Sequence, residues 1–254
     1  MEVITCLWIQ DSLDDISDKC IRSWIAVGYE VHLYTYSDRF YTTIEDNLIV
    51  KDANEICEEK ELDKTHQADY FRFTLFKKNK EKSSLIPFSI IWCDTDQFLF
   101  KKLPMICNYV STQENLKAGA FKCNKDSKPN IGVMKFNGNE SIDWSKIVDL
   151  KRKKGSKMES KYLKEYVKQI EMSKDVILLP TVACCGVHWS QVKDLYTCKY
   201  FKKQCLFGVL QRQIEDLVNE DDVYGIHLWR QLARKKKYDV KDNSILDTIY
   251  KNFL

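Results

Sequence analysis

Glycine and proline are scarce, 8 and 4 residues in 254. No Gly/Pro-rich or low-complexity stretch offers a place to divide the chain, so its length reads as one large unit. The ten cysteines include no Cys-x-x-Cys pair, which argues against a zinc ribbon. Their scatter through apolar runs suits buried free thiols in a reducing compartment, and the adjacent Cys184 and Cys185 read as small core residues. No apolar run approaches the roughly 20 residues that a membrane span needs. The opening MEVITCLWIQ lacks a basic segment, a long apolar segment and a small-residue cleavage site, so the expected location is cytoplasmic. An excess of one charge is missing too. With 40 basic and 37 acidic residues, the net +3 is too small to point to nucleic acid as the main partner. No repeat period shows. What remains is 44% hydrophobic and 30% charged residues, an ordinary globular balance that argues against disorder.

The first third alternates two periods. VITCLWI (3–9) and YEVHLYTY (29–36) read as strands. Between them Ile16, Cys20, Trp24 and Val27 recur at helical spacing over 14–27, and Gly28 is a natural stop. ELDKTHQADYFRFTLFKKNK (61–80) predicts a helix with acids at its start and lysines at its end, matching the helix dipole. A strand over 89–93 follows. This β-α-β-α-β order predicts a mostly parallel sheet with helices on its faces, in which ligands gather beyond the carboxyl ends of the strands. Further on, 108–114, 118–122, 130–136, 175–180 and the apolar stretch 223–229 read as short strands, and 160–172 as an amphipathic helix.

One strand end stands out. In SIIWCDTDQFLF (89–100) two carboxylates, Asp94 and Asp96, interrupt an apolar run. On an extended segment i and i+2 point to the same side, so the pair repels unless something positive lies between. A hard divalent cation, Mg²⁺ or Mn²⁺, suits such a pair and leaves positions open for phosphate. A solvated loop carrying acids is the other reading of so short a motif. In the preceding helix Asp69 and Arg72 share a face with Thr65 one turn earlier, and Arg72 sits among Tyr70, Phe71 and Phe73. The pair is either an ordinary intrahelical ion pair or a buried guanidinium with fixed partners in a site.

Taken in order, ITCLWIQ, CIRSWIAVGYEVHLYTY, HQADYFRFTLFKK, IIWCDTDQFLFKKLP and YGIHLWRQLARKKKYDVKDNSIL resemble the anchors of the DxD sugar transferases. That group includes bacterial and yeast sugar transferases, α-1,4-galactosyltransferases and glucosylating clostridial toxins. DVILLPTVACCGVHWSQ resembles the group's late strand and the loop ending in V-x-W. The resemblance implies a GT-A-like, Rossmann-like α/β fold in a single domain over 1–254. Residues 1–105 would form the nucleotide-sugar half, and 106–254 the acceptor-side and C-terminal half.

It also implies a metal-dependent glycosyltransferase acting with retention. The donor would be a nucleoside-diphosphate sugar, with UDP favoured, and the acceptor a glycan or other hydroxyl. Asp96 resembles the acid that ligates Mn²⁺ or Mg²⁺ directly. Asp94 resembles the acid that reaches the ribose, the donor sugar or the metal through water. Asp69 and Arg72 match the pair that holds donor hydroxyls and the diphosphate side, and Trp8 matches an aromatic beside the base. His227 matches a C-terminal histidine that helps the metal or the diphosphate. A satisfied histidine on an apolar strand is its other reading. His32, His66 and His188 read as structural. No nucleophile or base is identified, and Gln113 and Glu114 in STQEN (111–115) are acceptor-side candidates.

The chain departs from the group in two places. KNKEKSSLIPFS (78–89) stands where a Gly-Gly pair is usual, and Ala68 stands where Ser is common. Two alternatives compete. A haloacid-dehalogenase-type phosphatase also ends a strand in D-x-D, but it wants the motif on the first strand and Thr or Val where Phe98 lies. A non-catalytic binding module would use the basic runs 151–157 and 233–238, which otherwise read as solvated faces or as weak adhesion to an anionic membrane surface.

Overall fold

The computed structural model describes residues 2–60, 63–82, 89–114, 127–149, 159–199 and 221–254. Its elements run β1 (Val3–Trp8), α1 (Asp15–Ala26), β2 (Glu30–Thr35), β3 (Leu48–Asp52), α2 (Lys64–Lys82), β4 (Ile90–Cys93), β5 (Gln97–Leu99), β6 (Tyr109–Glu114), β7 (Ser127–Phe136), α3 (Trp144–Val148), α4 (Glu159–Met172), β8 (Ile177–Leu178), α5 (Thr181–Cys185), α6 (Val192–Thr197), β9 (Gly225–His227), α7 (Arg230–Lys236) and α8 (Ile245–Phe253).

Seven strands form one sheet in the order β3-β2-β1-β4-β7-β6-β8, and β5 pairs with β9 as a separate ribbon. Within the large sheet only β7 runs against the others. The architecture is the expected α/β one: a mostly parallel sheet with helices on both faces. All six positions of β1 are buried, as a strand covered on both sides requires. Ile4, Cys6 and Trp8 pack with Cys20, Ile21 and Trp24 of α1, while Leu7 packs on the other face with Phe71, Phe73 and Phe76 of α2. The first of these clusters extends from Ile4 to Tyr250, so the two halves of the chain share a core.

Local chemistry sets the boundaries. The Asp14 carboxylate accepts from Ser17 N at 2.9 Å to start α1, and Gly28, at φ +92°, turns the chain out of it. Helix α2 begins at Lys64, and its first turn holds no acid, contrary to the sequence expectation. The acid that serves it is Asp63 just before, whose Oδ1 accepts from Thr65 N and His66 N.

Other expectations change shape. The strand expected over 175–180 shrinks to β8, and the one over 223–229 to β9, after which Trp229 at φ +52° turns the chain into α7. Thr181–Cys185 is helical where a loop was expected, and a further helix, Val192–Thr197, follows it. The proposed strand 118–122 and basic run 151–157 lie outside the described residues. Among the described cysteines, Cys6, Cys20, Cys93, Cys184 and Cys185 are buried free thiols, whereas Cys107 is exposed. No helix among the described residues is long and apolar enough to cross a membrane.

Candidate active site

Strand β4 ends at Cys93, and the next residues do not stay extended. Gln97 N donates to Asp94 O at 2.9 Å, closing a turn over Asp94–Gln97. The same-side argument for an extended segment therefore does not hold. The turn itself brings both acids to one pocket of about 200 Å³, beyond the carboxyl ends of β1 and β4 and lined also by Trp8, Arg72 and Arg230. This is where a parallel sheet collects ligands.

The repulsion between the acids is answered pairwise. Asp94 faces Arg72 Nη1 at 3.0 Å and accepts from Trp92 Nε1 at 2.8 Å. Its backbone N–H donates to Gly132 O at 2.8 Å, fixing the turn against β7. Arg72 is only 4% exposed. It reaches Asp69 at 3.2 Å, donates to Ile131 O at 2.6 Å, and lies 4.8 Å over the Trp92 ring. The Asp69–Arg72 pair is intrahelical, and its guanidinium also joins α2 to the turn after β4. Burial raises the Asp94 carboxyl above its ordinary value, with Arg72 opposing and Asp96 adding to the rise.

Asp96 has different partners. His227 Nε2 lies 3.2 Å from its Oδ1, and Arg230 N donates to its Oδ2 at 3.1 Å. Burial alone would raise this carboxyl, but His227 and Arg230 bring it down to about 2. Burial would likewise lower His227, yet Asp96 holds it well above the ordinary imidazole range. The partner of His227 is thus the second acid of the motif.

Arg230, the first residue of α7, also belongs to this cluster. Its guanidinium bonds Asp14 at 2.5 Å and covers the Trp8 ring at 4.7 Å. Trp8 lines the pocket, is 4% exposed, lies with one face under Arg230, and donates Nε1 to Ser12 O. Trp229, just before Arg230, packs its ring 4.4 Å from that of His227 and donates Nε1 to Val187 O at 2.7 Å.

Gln113, His32, His66 and His188 do not line this pocket. Gln113 belongs to β6, and its Oε1 accepts from Asn130 Nδ2 at 2.6 Å. Glu114 ends the same strand, and its side chain lies outside the described residues. His32 pairs with Glu30, His66 with Asp63, and His188 caps the turn at 189–191. Each has a local partner.

Two hard carboxylates suit Mn²⁺ or Mg²⁺, and the His227 ring, which Asp96 holds well above the ordinary imidazole range, would have to release a proton to join them. Asp96 and His227 face each other, and Asp94 and Asp96, though not His227, line the pocket. Among the described residues no three His, Cys, Asp or Glu side chains stand close enough to cage a metal by themselves.

No family model matches this chain, and no curated protein does. Among solved structures 147 chains match. One is a glycosyltransferase involved in the glycosylation of the major capsid of PBCV-1, 14% identical, with a TM-score of 0.45 over 92% of this chain and 98% of that one.

Proposed function

We propose that this chain is a glycosyltransferase that moves a sugar from a nucleoside-diphosphate donor, UDP-sugar favoured, to a hydroxyl of a glycan acceptor, with retention and with Mn²⁺ or Mg²⁺. One observation carries the reading. The Asp94–Thr95–Asp96 turn and the buried Arg72 line the same pocket at the carboxyl end of a parallel sheet. Carboxylates that could ligate a cation would then stand beside a fixed positive charge that suits a diphosphate. Asp96 and His227 would hold the cation, with Asp94 beside them. A bound cation there supplies charge neutralisation for the departing diphosphate.

The chain's own groups prepare the site. Arg72 fixes Asp94 and adds positive potential where negative charge develops. The hydrogen bond from Arg230 N holds Asp96 against His227, so the acid does not reorganise when the donor binds. The phosphatase alternative gains nothing from the fold, because the acids follow the fourth strand in chain order and not the first.

The test is a thermal-shift panel of UDP- and GDP-sugars, with and without Mn²⁺, followed by an assay for slow donor hydrolysis. A metal-dependent rise in Tm with at least one nucleotide sugar is expected, since a ligand that binds the native state stabilises it. No shift and no hydrolysis across the panel would end this reading.

A further inference from the structure

The donor pocket has a rim that the chemistry above does not use. Lys64, the first residue of α2, and Arg234, on α7, both line the pocket mouth, and both are exposed. Gln231 Nε2 reaches toward Thr65 Oγ1 at 3.5 Å, so these two helices stand as adjoining walls. Neither cation has an acidic partner among the described residues.

Helix electrostatics explains part of this and leaves part over. Arg234, Lys235 and Lys236 in the last turn of α7 suit the negative end of the helix dipole. Lys64 is at the other end of its helix, where the dipole disfavours a cation. The acid just before it, Asp63, is committed to His66 and to two backbone N–H groups. Lys64 thus stands at the pocket mouth at some cost to the fold.

A charge balance over the site sharpens the point. Asp94 and Asp69 share Arg72, Asp96 is answered by His227, and Arg230 by Asp14, so these groups carry one acid more than they have cations. A nucleoside-diphosphate sugar and a divalent cation bring opposite and nearly equal charge. When both are bound, Lys64 and Arg234 outweigh that one surplus acid, and a positive excess remains at the opening through which the acceptor must come, on two side chains without an acidic partner of their own among the described residues. Resting on the transferase reading above, we propose that the acceptor is an anionic glycan, bearing a carboxylate or phosphate near the receiving hydroxyl, and that Lys64 and Arg234 hold that anion. The two cations line a concave mouth, which fits a glycan chain better than the flat surface of a bilayer.

The experiment titrates the full-length protein, saturated with Mn²⁺ and its preferred nucleotide sugar, by calorimetry. The probes are oligogalacturonates (carboxylate), phosphorylated oligomannosides (phosphate), unmodified oligomannosides, and vesicles of phosphatidylcholine with phosphatidylserine. Wild-type protein is expected to bind at least one anionic oligosaccharide roughly tenfold more tightly than the neutral one, as charge-assisted bonds allow. The preference should shrink as salt rises and disappear in the double variant K64Q/R234Q. The two anionic arms separate carboxylate from phosphate. Equal binding of neutral and anionic sugars overturns the proposal while leaving the transferase reading intact. So does a double variant that loses nucleotide-sugar affinity instead, or binding to the anionic vesicles alone. If no nucleotide sugar binds at all, the transferase reading fails first and the acceptor assignment falls with it.

Discussion

His227 Nε2 stands 3.2 Å from Asp96 Oδ1, and the two residues meet because β5 and β9 pair antiparallel with Gln97 opposite His227. The chain distance between them is long, and the ribbon that closes it is short. Two further bonds brace it: Leu228 N donates to Asp96 O at 2.8 Å, and Gln97 Nε2 donates to Cys184 O at 3.0 Å. An acid of the motif is thereby tied to the C-terminal segment before any ligand arrives.

Asp96→Asn tests that tie. The change keeps the shape and removes the charge, so the Mn²⁺-dependent rise in Tm with nucleotide sugar should vanish. Donor turnover should fall at least a hundredfold, beyond the 10–100-fold typical of outer-shell partners. Titration of Mn²⁺ with and without nucleotide checks the outcome. Unchanged metal dependence would remove Asp96 from the proposed cation site.

Arg72 offers a test that does not need the substrate. Its guanidinium is shared by Asp69 and Asp94, all within one poorly exposed cluster. Arg72→Ala leaves two carboxylates without their cation, which should cost about 3 kcal/mol, the low end for breaking a buried pair. A cost of a few tenths, the value for an exposed helical pair, would show that the guanidinium is not held as described. Adding Asp69→Asn to Arg72→Ala should recover part of the loss, and urea denaturation of the four proteins gives the coupling.

Those buried charges also show where the sequence was readable. β1, α1, β2 and β4 follow directly from β-branched runs, helical spacing and a stop at Gly28, because both faces of the sheet are covered. Asp94 and Asp96 were visible as acids interrupting such a run. Arg230 was not, since it opens a basic run that resembles any solvated helix, and its partner Asp14 lies 216 residues away. The pairing of β5 with β9 left no signal either. Three-residue strands carry no usable period, and a bulky Trp229 at φ +52° is a backbone state that side chains of its kind rarely adopt. Edge strand β3, half exposed with Ile49 and Val50 facing out, lacks the alternation that marks a strand.

Gly225 is the residue on which the short ribbon depends. A Cβ added there would run into the carbonyl oxygen of Phe98 and crowd the Leu99 side chain at 2.8 Å. Backbone cannot yield as a flexible side chain does, so Gly225→Ala should push β9 off β5. We expect roughly 1–3 kcal/mol of lost stability, as for other overpacked sites. Activity should fall further than stability explains, because His227 moves away from Asp96. Equilibrium unfolding and donor hydrolysis on the same protein separate the two effects, and a variant with full activity would show that the ribbon does not position the acid.

His188 supplies a pH dependence with a definite sign. Its Nδ1 accepts from Ser190 N at 3.3 Å and contacts Ser190 Oγ at 2.7 Å, so the imidazole serves as a cap only when neutral. Burial lowers its pKa below the ordinary value. A histidine lowered in the folded state is protonated first in the unfolded chain. Its contribution is therefore fully present above the unfolded value of about 6.5, and it is lost as pH falls from there through the folded value. His188→Asn replaces it with a cap that does not titrate, worth a comparable ~1 kcal/mol. Between about pH 8 and about pH 5 the wild-type Tm should drop more than that of the variant. Parallel curves would mean that the imidazole is not the acceptor at this turn.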